Sequence, residues 1–206
     1  MYIPKLYREE DREEILTFLR QNNFATLITY DGERPIATHI PVDVVEAENG
    51  SLTIYGHISA ANPQRNTLSG QEILLIFQGP HTYISPRWYN HVNVPTWDYM
   101  SVHLYGNGRA VQGEELNTLL SRMIQRYEAS STYSFEGLPP DFAEKQIKGI
   151  VGFAVDVTRI EAGYKLSQNR NDEDYWNIIH QLDQRTDDNS KKVASAMRAR
   201  RKKSAD

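Results

Sequence analysis

The chain contains no cysteine. That excludes disulfides, thiolate metal sites and cysteine nucleophiles, so any redox chemistry must come from a bound cofactor or an assembled oligomer. Long apolar runs are also missing. No segment offers the stretch of about 20 apolar residues that a membrane helix needs, and MYIPKLYREEDREE at the N-terminus passes straight into charge without the apolar region of a secretory signal. These absences predict a cytoplasmic protein with no membrane segment. Common catalytic signatures are missing as well: there is no G-x-S-x-G elbow, no H-E-x-x-H, no Walker A, and no G-x-G-x-x-G opening a helix after a strand. His39, His57, His81, His91 and His103 show no chelate spacing with a nearby carboxylate, so no metal site is expected and polar pocket lining fits them better.

The chain is rich in polar-tipped aromatic rings, and they are concentrated. Residues 79–106 hold three of six histidines, two of three tryptophans and four of twelve tyrosines. Buried rings of this kind need partners for their N–H and O–H groups, so such a cluster lines a ligand pocket or a subunit interface. The 206 residues with 39% apolar and 24% charged side chains describe one ordinary globular domain. Charge is unevenly spread. Residues 191–206 carry seven cations against one acid, while the remainder carries sixteen against twenty-six. The domain is expected over 1–189, with a basic helix or tail over 190–206. The tail could bind DNA or could be a solvated end, and its few apolar residues, Val193 and Met197, predict a loosely held helix.

Periodicity predicts the elements. Arg8 to Gln21 reads as an amphipathic opening helix. FATLITY, PIATHIPVDVV, SLTIYGH and EILLIFQ read as antiparallel strands joined by turns such as Asp31-Gly32 and Asn49-Gly50. In the second of these, Ile36, Ile40, Val42 and Val44 share the core face and Ala37, His39, Pro41 and Asp43 the other. Ser59 to Ser69 reads as a helix. HTYI and SVHLYGNGRAVQ continue the strands, with Gly106-Asn107-Gly108 as a hairpin or bulge. Glu114–Ala129 and a segment from Pro139-Pro140 to Lys148 read as helices, GIVGFAVDVTRI as a buried strand, and Asn171–Leu182 and Ser190–Lys203 as the last two helices. The class is mainly β with peripheral helices (α+β), a β-barrel rather than a doubly wound sheet.

Two polar segments stand out as candidate sites. In GHISAANPQRN, Gly56 lets a ligand approach the backbone, and His57, Ser59 and Asn62 offer hydrogen bonds at a helix start, suiting either a phosphate or a plain helix cap. KLSQNR, residues 165–170, suits either a ligand's polar rim, a partner subunit, or a helix-entry turn.

FATLITY, PIATHIP, GHISAANPQ, FQGPHTYISPRWY, VPTWDYMSVHLYG and KLSQNR, in this order and spacing, resemble the PaiB family of bacterial proteins over essentially the whole chain. The resemblance implies an antiparallel FMN-binding split β-barrel, a homodimer with FMN held at the subunit interface, and negative transcriptional regulation of degradative-enzyme synthesis and sporulation. It implies Thr38, His39 and Ile40 along the flavin and ribityl chain, and His57, Ser59 and Asn62 at the phosphate. Many split-barrel enzymes place a cation on the phosphate, and this stretch has none before Arg65, which leaves Arg65, Lys165 or Arg170 for that contact. Trp97, Ser167 and Gln168 complete the expected cofactor set. DNA contact, where it occurs, is expected through the basic tail. An FMN-dependent oxidoreductase akin to flavin reductases is the alternative activity, and haem handling a more distant one.

Overall fold

A computed structural model describes residues 1–203; the last three residues of the basic segment, 204–206, lie outside the described residues. The elements run α1 (Arg12–Gln21), β1 (Phe24–Tyr30), β2 (Pro35–Glu46), β3 (Leu52–Ser59), β4 (Glu72–Ile84), β5 (Thr96–Val111), α2 (Gly113–Glu128), α3 (Pro140–Lys148), β6 (Ile150–Lys165), α4 (Asp172–Asp183) and α5 (Asp188–Lys203). Short 3-10 turns occupy Lys5–Tyr7, Pro63–Thr67 and Pro86–Trp88. The strands close into a barrel in the order β1-β2-β3-β6-β5-β4. None of the helices is long and apolar enough to cross a membrane among the described residues.

Two expectations fail for identifiable reasons. No helix spans Ser59 to Ser69: β3 runs on through Ser59, and only Pro63–Thr67 coils, as a 3-10 turn capped by the Asn62 side chain. Ser59 and Asn62 instead turn their side chains onto the local amides of Ala61 and Gln64, a bonding pattern that competes with helix. Gly106-Asn107-Gly108 does not turn the chain as a hairpin, since it lies inside β5. Its glycines are there for close approach. A Cβ at Gly106 would run into the Asp156 carbonyl and one at Gly108 into the Leu68 carbonyl.

The chain forms two compact units. The unit of residues 16–77 and 103–160 contains the strand registers of β1 with β2, β2 with β3, β3 with β6, and β1 with β4. Period-2 alternation sends Ala25, Leu27, Ile40, Val42, Val44, Ile54 and Phe153 into its core. α2 packs Leu116 and Leu119 onto Val111 and Ala154, with Tyr55, Met123 and Ile150 at the margin. Gly152 makes this possible, because a Cβ there would strike the Leu116 side chain.

The unit of residues 1–15, 78–102 and 161–206 is built around α4 and α5. Asn171 caps α4 by accepting from the Asp174 amide at 2.8 Å. Asp187 does the same for α5, accepting from the Ser190 amide and hydroxyl at 2.8 Å each. α5 is firmly docked. Val193, Ala194 and Met197 are fully buried, the Ser190 hydroxyl meets Thr82 of β4 at 2.9 Å, and Tyr175 of α4 bonds the Met197 carbonyl. The looseness expected from composition is absent because these few apolar residues are all buried. The helix's arginines are engaged too: Arg198 pairs with Asp183, Arg200 with Glu9 at 2.6 Å, and Arg201 with Asp172.

Candidate functional site

In the first unit, Thr38, Asn62 and Gln64 form one hydrogen-bonded knot. Asn62 accepts from the Gln64 amide and donates from Nδ2 to Thr38 Oγ1, both at 2.9 Å. Thr38 donates to Gln64 Oε1 at 2.5 Å. Gln64 is buried and its Nε2 reaches the Leu27 carbonyl, the Thr29 hydroxyl and the Ile36 carbonyl. Asn62 therefore has both ends of its amide occupied. It caps the 3-10 turn and helps seat Gln64 between β1 and β2, as a plain cap does.

Adjacent positions on β2 face opposite ways, which separates the three β2 candidates. Ile40 is buried in the core, whereas His39 is exposed, accepts or donates at Nδ1 to Thr26 Oγ1 at 2.9 Å, and lies nearly parallel to the Phe24 ring at 6.5 Å. His57 projects from β3 with its ring partly buried, and its Nδ1 is buried with no hydrogen-bond partner. Burial holds the His57 imidazole below its ordinary pKa, so near neutrality it is an uncharged hydrogen-bonding group rather than a cation. Ser59 is exposed at the end of β3. Arg65 is exposed and donates to the Ala60 carbonyl at 2.6 Å, the one cation this cluster brings near the turn.

In the second unit, Trp97, Lys165, Ser167, Gln168 and Arg170 gather around a residue that sequence reasoning missed, Asp98. Asp98 is fully buried and its Oδ2 accepts from the Ser167 hydroxyl at 2.7 Å. Lys165 donates to the Thr96 hydroxyl and, at 2.5 Å, to the Trp97 carbonyl, and lies 3.9 Å from Asp98 Oδ1. Gln168 is turned back on its own loop, accepting from the Leu166 amide at 2.7 Å and donating to the Tyr164 carbonyl. The Arg170 guanidinium sits 4.7 Å from the centre of the Tyr89 ring. Ser167 is the one non-glycine residue with positive φ among the described residues, at 56°, a backbone state stabilised only by its surroundings. KLSQNR is thus a tightly bonded turn whose polar side chains are largely used within the chain. A lone aspartate in an aromatic stretch carries no periodic or motif signal, which is why Asp98 escaped notice.

Six antiparallel strands closed around a filled core, with helices outside, define the split-barrel fold of the α+β class. The chain belongs to the family described as "Putative FMN-binding domain", whose model matches residues 1–159. It is 41% identical over 206 residues to "Protease synthase and sporulation protein PAI 2" of Bacillus subtilis (strain 168), covering 98% of this chain and 99% of that protein. Two solved structures share the fold. The FAD and haem binding protein from Mycobacterium smegmatis superposes with a TM-score of 0.61 at 15% identity, covering 82% of this chain and 78% of that one. The flavocytochrome Anf3 from Azotobacter vinelandii gives 0.61 at 18% identity, covering 85% and 78%.

The family makes FMN the cofactor expected of this chain, and the donor set can be tested against it. The unpartnered buried Nδ1 of His57, the exposed Ser59 hydroxyl and the Arg65 guanidinium supply hydrogen bonds and one positive charge. That is the chemistry a ribityl phosphate requires. Asn62 and Gln168, already satisfied, add nothing to it.

Proposed function

We propose that this chain is an FMN-binding homodimer that acts as a negative transcriptional regulator of protease synthesis and sporulation. The observation that carries this reading is the 41% identity to the Bacillus subtilis protein over 98% of the chain, a relative named for those two processes. FMN supplies one- and two-electron redox chemistry, and the chain's part is to bind and orient it. His57, Ser59 and Arg65 would hold the phosphate end, with His39 as an exposed ring available to the flavin.

The dimer is supported by an apolar outer barrel face. Strand alternation turns Phe24, Ile28 and Tyr30 of β1 outward. The register sets Phe24 against Pro41, Ile28 against Ala37 of β2, and Ile28 against Leu74 of β4, with Ile76 of β4 beside Thr26. Phe24 and Tyr30 are at least half exposed. A contiguous apolar sheet face of this kind marks an interface, and a second copy of the chain is its occupant.

The basic tail contributes little to DNA contact, because three of its arginines are committed to ion pairs within the fold. Repression therefore acts mainly through surfaces other than the tail or through a partner protein.

FMN titration of the purified protein, read by quenching of flavin fluorescence, tests the cofactor. Light scattering of the wild type and of Ile28→Glu tests the dimer. A secreted-protease reporter in a strain lacking the protein, complemented with wild type or His57→Ala, tests the role. Uptake of one FMN per chain, a monomeric Ile28→Glu and repression by the wild type are expected. Absence of FMN uptake together with an unchanged reporter overturns the reading.

A further inference from the structure

Thr96, Trp97 and Asp98 begin β5, and all three are held by the turn that follows β6. Lys165 takes the Thr96 hydroxyl and the Trp97 carbonyl, and Ser167 takes the Asp98 carboxylate. Because successive side chains of a strand point to opposite faces, fixing the buried Asp98 aims the Trp97 indole outward. That indole is 54% exposed and lies 6.1 Å from the His81 ring and 6.3 Å, edge-on, from Tyr83.

We propose that Asp98 is a positioning residue: its ionised carboxylate, bonded by Ser167 and facing Lys165, clamps residues 96–98 so that the Trp97 indole is presented in one orientation beside Tyr83 and His81.

The geometry makes the clamp dependent on charge. The carboxylate is fully buried, and Lys165 has its other two contacts on neutral oxygens. Burial raises the Asp98 pKa to about 6, and the Ser167 bonds and the Lys165 and Arg170 charges pull it only part of the way back. Lys165 of β6 and Arg170 of the following loop are the cations that face it. Tyr7 of the N-terminal turn, Tyr89 after β4 and Tyr175 of α4 feel its charge too, but burial pushes their hydroxyls up, so they stay neutral as Asp98 titrates. Below that pH, Asp98 is neutral while still buried, Lys165 loses its counter-charge, and the surroundings of the indole change. His81, the imidazole beside the indole, serves as the control.

The test uses the full chain labelled with 5-fluorotryptophan, its three resonances assigned with Trp97→Phe. The Trp97 resonance is expected to move in one step centred near pH 6, while Trp88 and Trp176 stay flat. The step vanishes in Asp98→Asn, persists in His81→Gln, and shifts to higher pH in Lys165→Met, where the carboxylate has lost its cation. A step that survives Asp98→Asn, or that disappears in His81→Gln, overturns the proposal. So does an unmoved midpoint in Lys165→Met, a variant that keeps Asp98 in place.

Discussion

The hydroxyl of Tyr175 donates to the backbone carbonyl of Met197 at 2.7 Å, joining α4 to the basic α5. The Arg201 guanidinium covers the same ring at 4.4 Å from its centre. Tyr175→Phe is expected to lower stability by about 1 kcal/mol, the usual net worth of one such bond. Met197→Ala, which opens a cavity at a fully buried position, is expected to cost about 2–5 kcal/mol. Urea unfolding of both variants checks this, and a Met197→Ala loss below that of Tyr175→Phe would show that α5 is not part of the core.

DNA retention should depend on salt less steeply than seven free cations would make it. Seven cations lie in residues 191–206, and Arg198, Arg200 and Arg201 are paired within the fold, so at most four are available to phosphates while those pairs hold. The slope of log affinity against log salt is then expected to be no steeper than about −4, at roughly 0.9 per phosphate neutralised. Filter binding to a random duplex across a salt series measures it. A slope near −6 would mean that the ion pairs open on DNA.

Gly108→Ala is expected to destabilise by about 1–3 kcal/mol, through overpacking against the Leu68 carbonyl and the Ile73 side chain. Gly50 has open space around it and a φ of +80°, so Gly50→Ala is expected to cost about 1–2 kcal/mol through backbone strain alone. The two mechanisms separate on a second substitution. Asn, which tolerates positive φ, should recover stability at position 50 and worsen it at 108, as thermal melts will show.

Asp98 also sets a pH dependence of stability. Its pKa is raised from 3.8 to about 6 on folding, so the folded chain holds this proton more tightly than the unfolded one. Its contribution is fully present below the unfolded pKa and is lost as pH rises through about 6, a change of up to about 3 kcal/mol. Asp98→Asn keeps an acceptor for Ser167 and should flatten the melting profile between pH 4 and 7. It should leave the variant at least as stable as wild type at pH 7.5. A steep profile in the variant would place the proton elsewhere.

The strands and helices were legible in the sequence wherever burial follows a simple period. FATLITY is β1 from end to end, and the apolar face of α2 carries Leu116 and Leu119 as expected. What escaped was set by contacts between distant parts of the chain. Gly106 and Gly108 resemble turn glycines until the Asp156 and Leu68 carbonyls are placed beside them. α5 is apolar at too few positions to advertise its docking, yet Val193, Ala194 and Met197 are all buried. In the candidate site, His57 and Arg65 were identifiable by residue type. The inward turn of Ile40 was legible from the strand alternation, whereas the saturation of Asn62 was not, because it depends on Thr38 of the distant β2 as well as on Gln64 of the turn it caps.

The Gln64 knot has a practical consequence. A side chain that bonds Leu27, Thr29, Ile36 and Thr38 at once leaves this part of the core satisfied by the protein's own atoms, without a guest. Loading of a cofactor therefore need not wait for the core to breathe, and the folded apoprotein should be reconstitutable at a rate set by encounter rather than by unfolding.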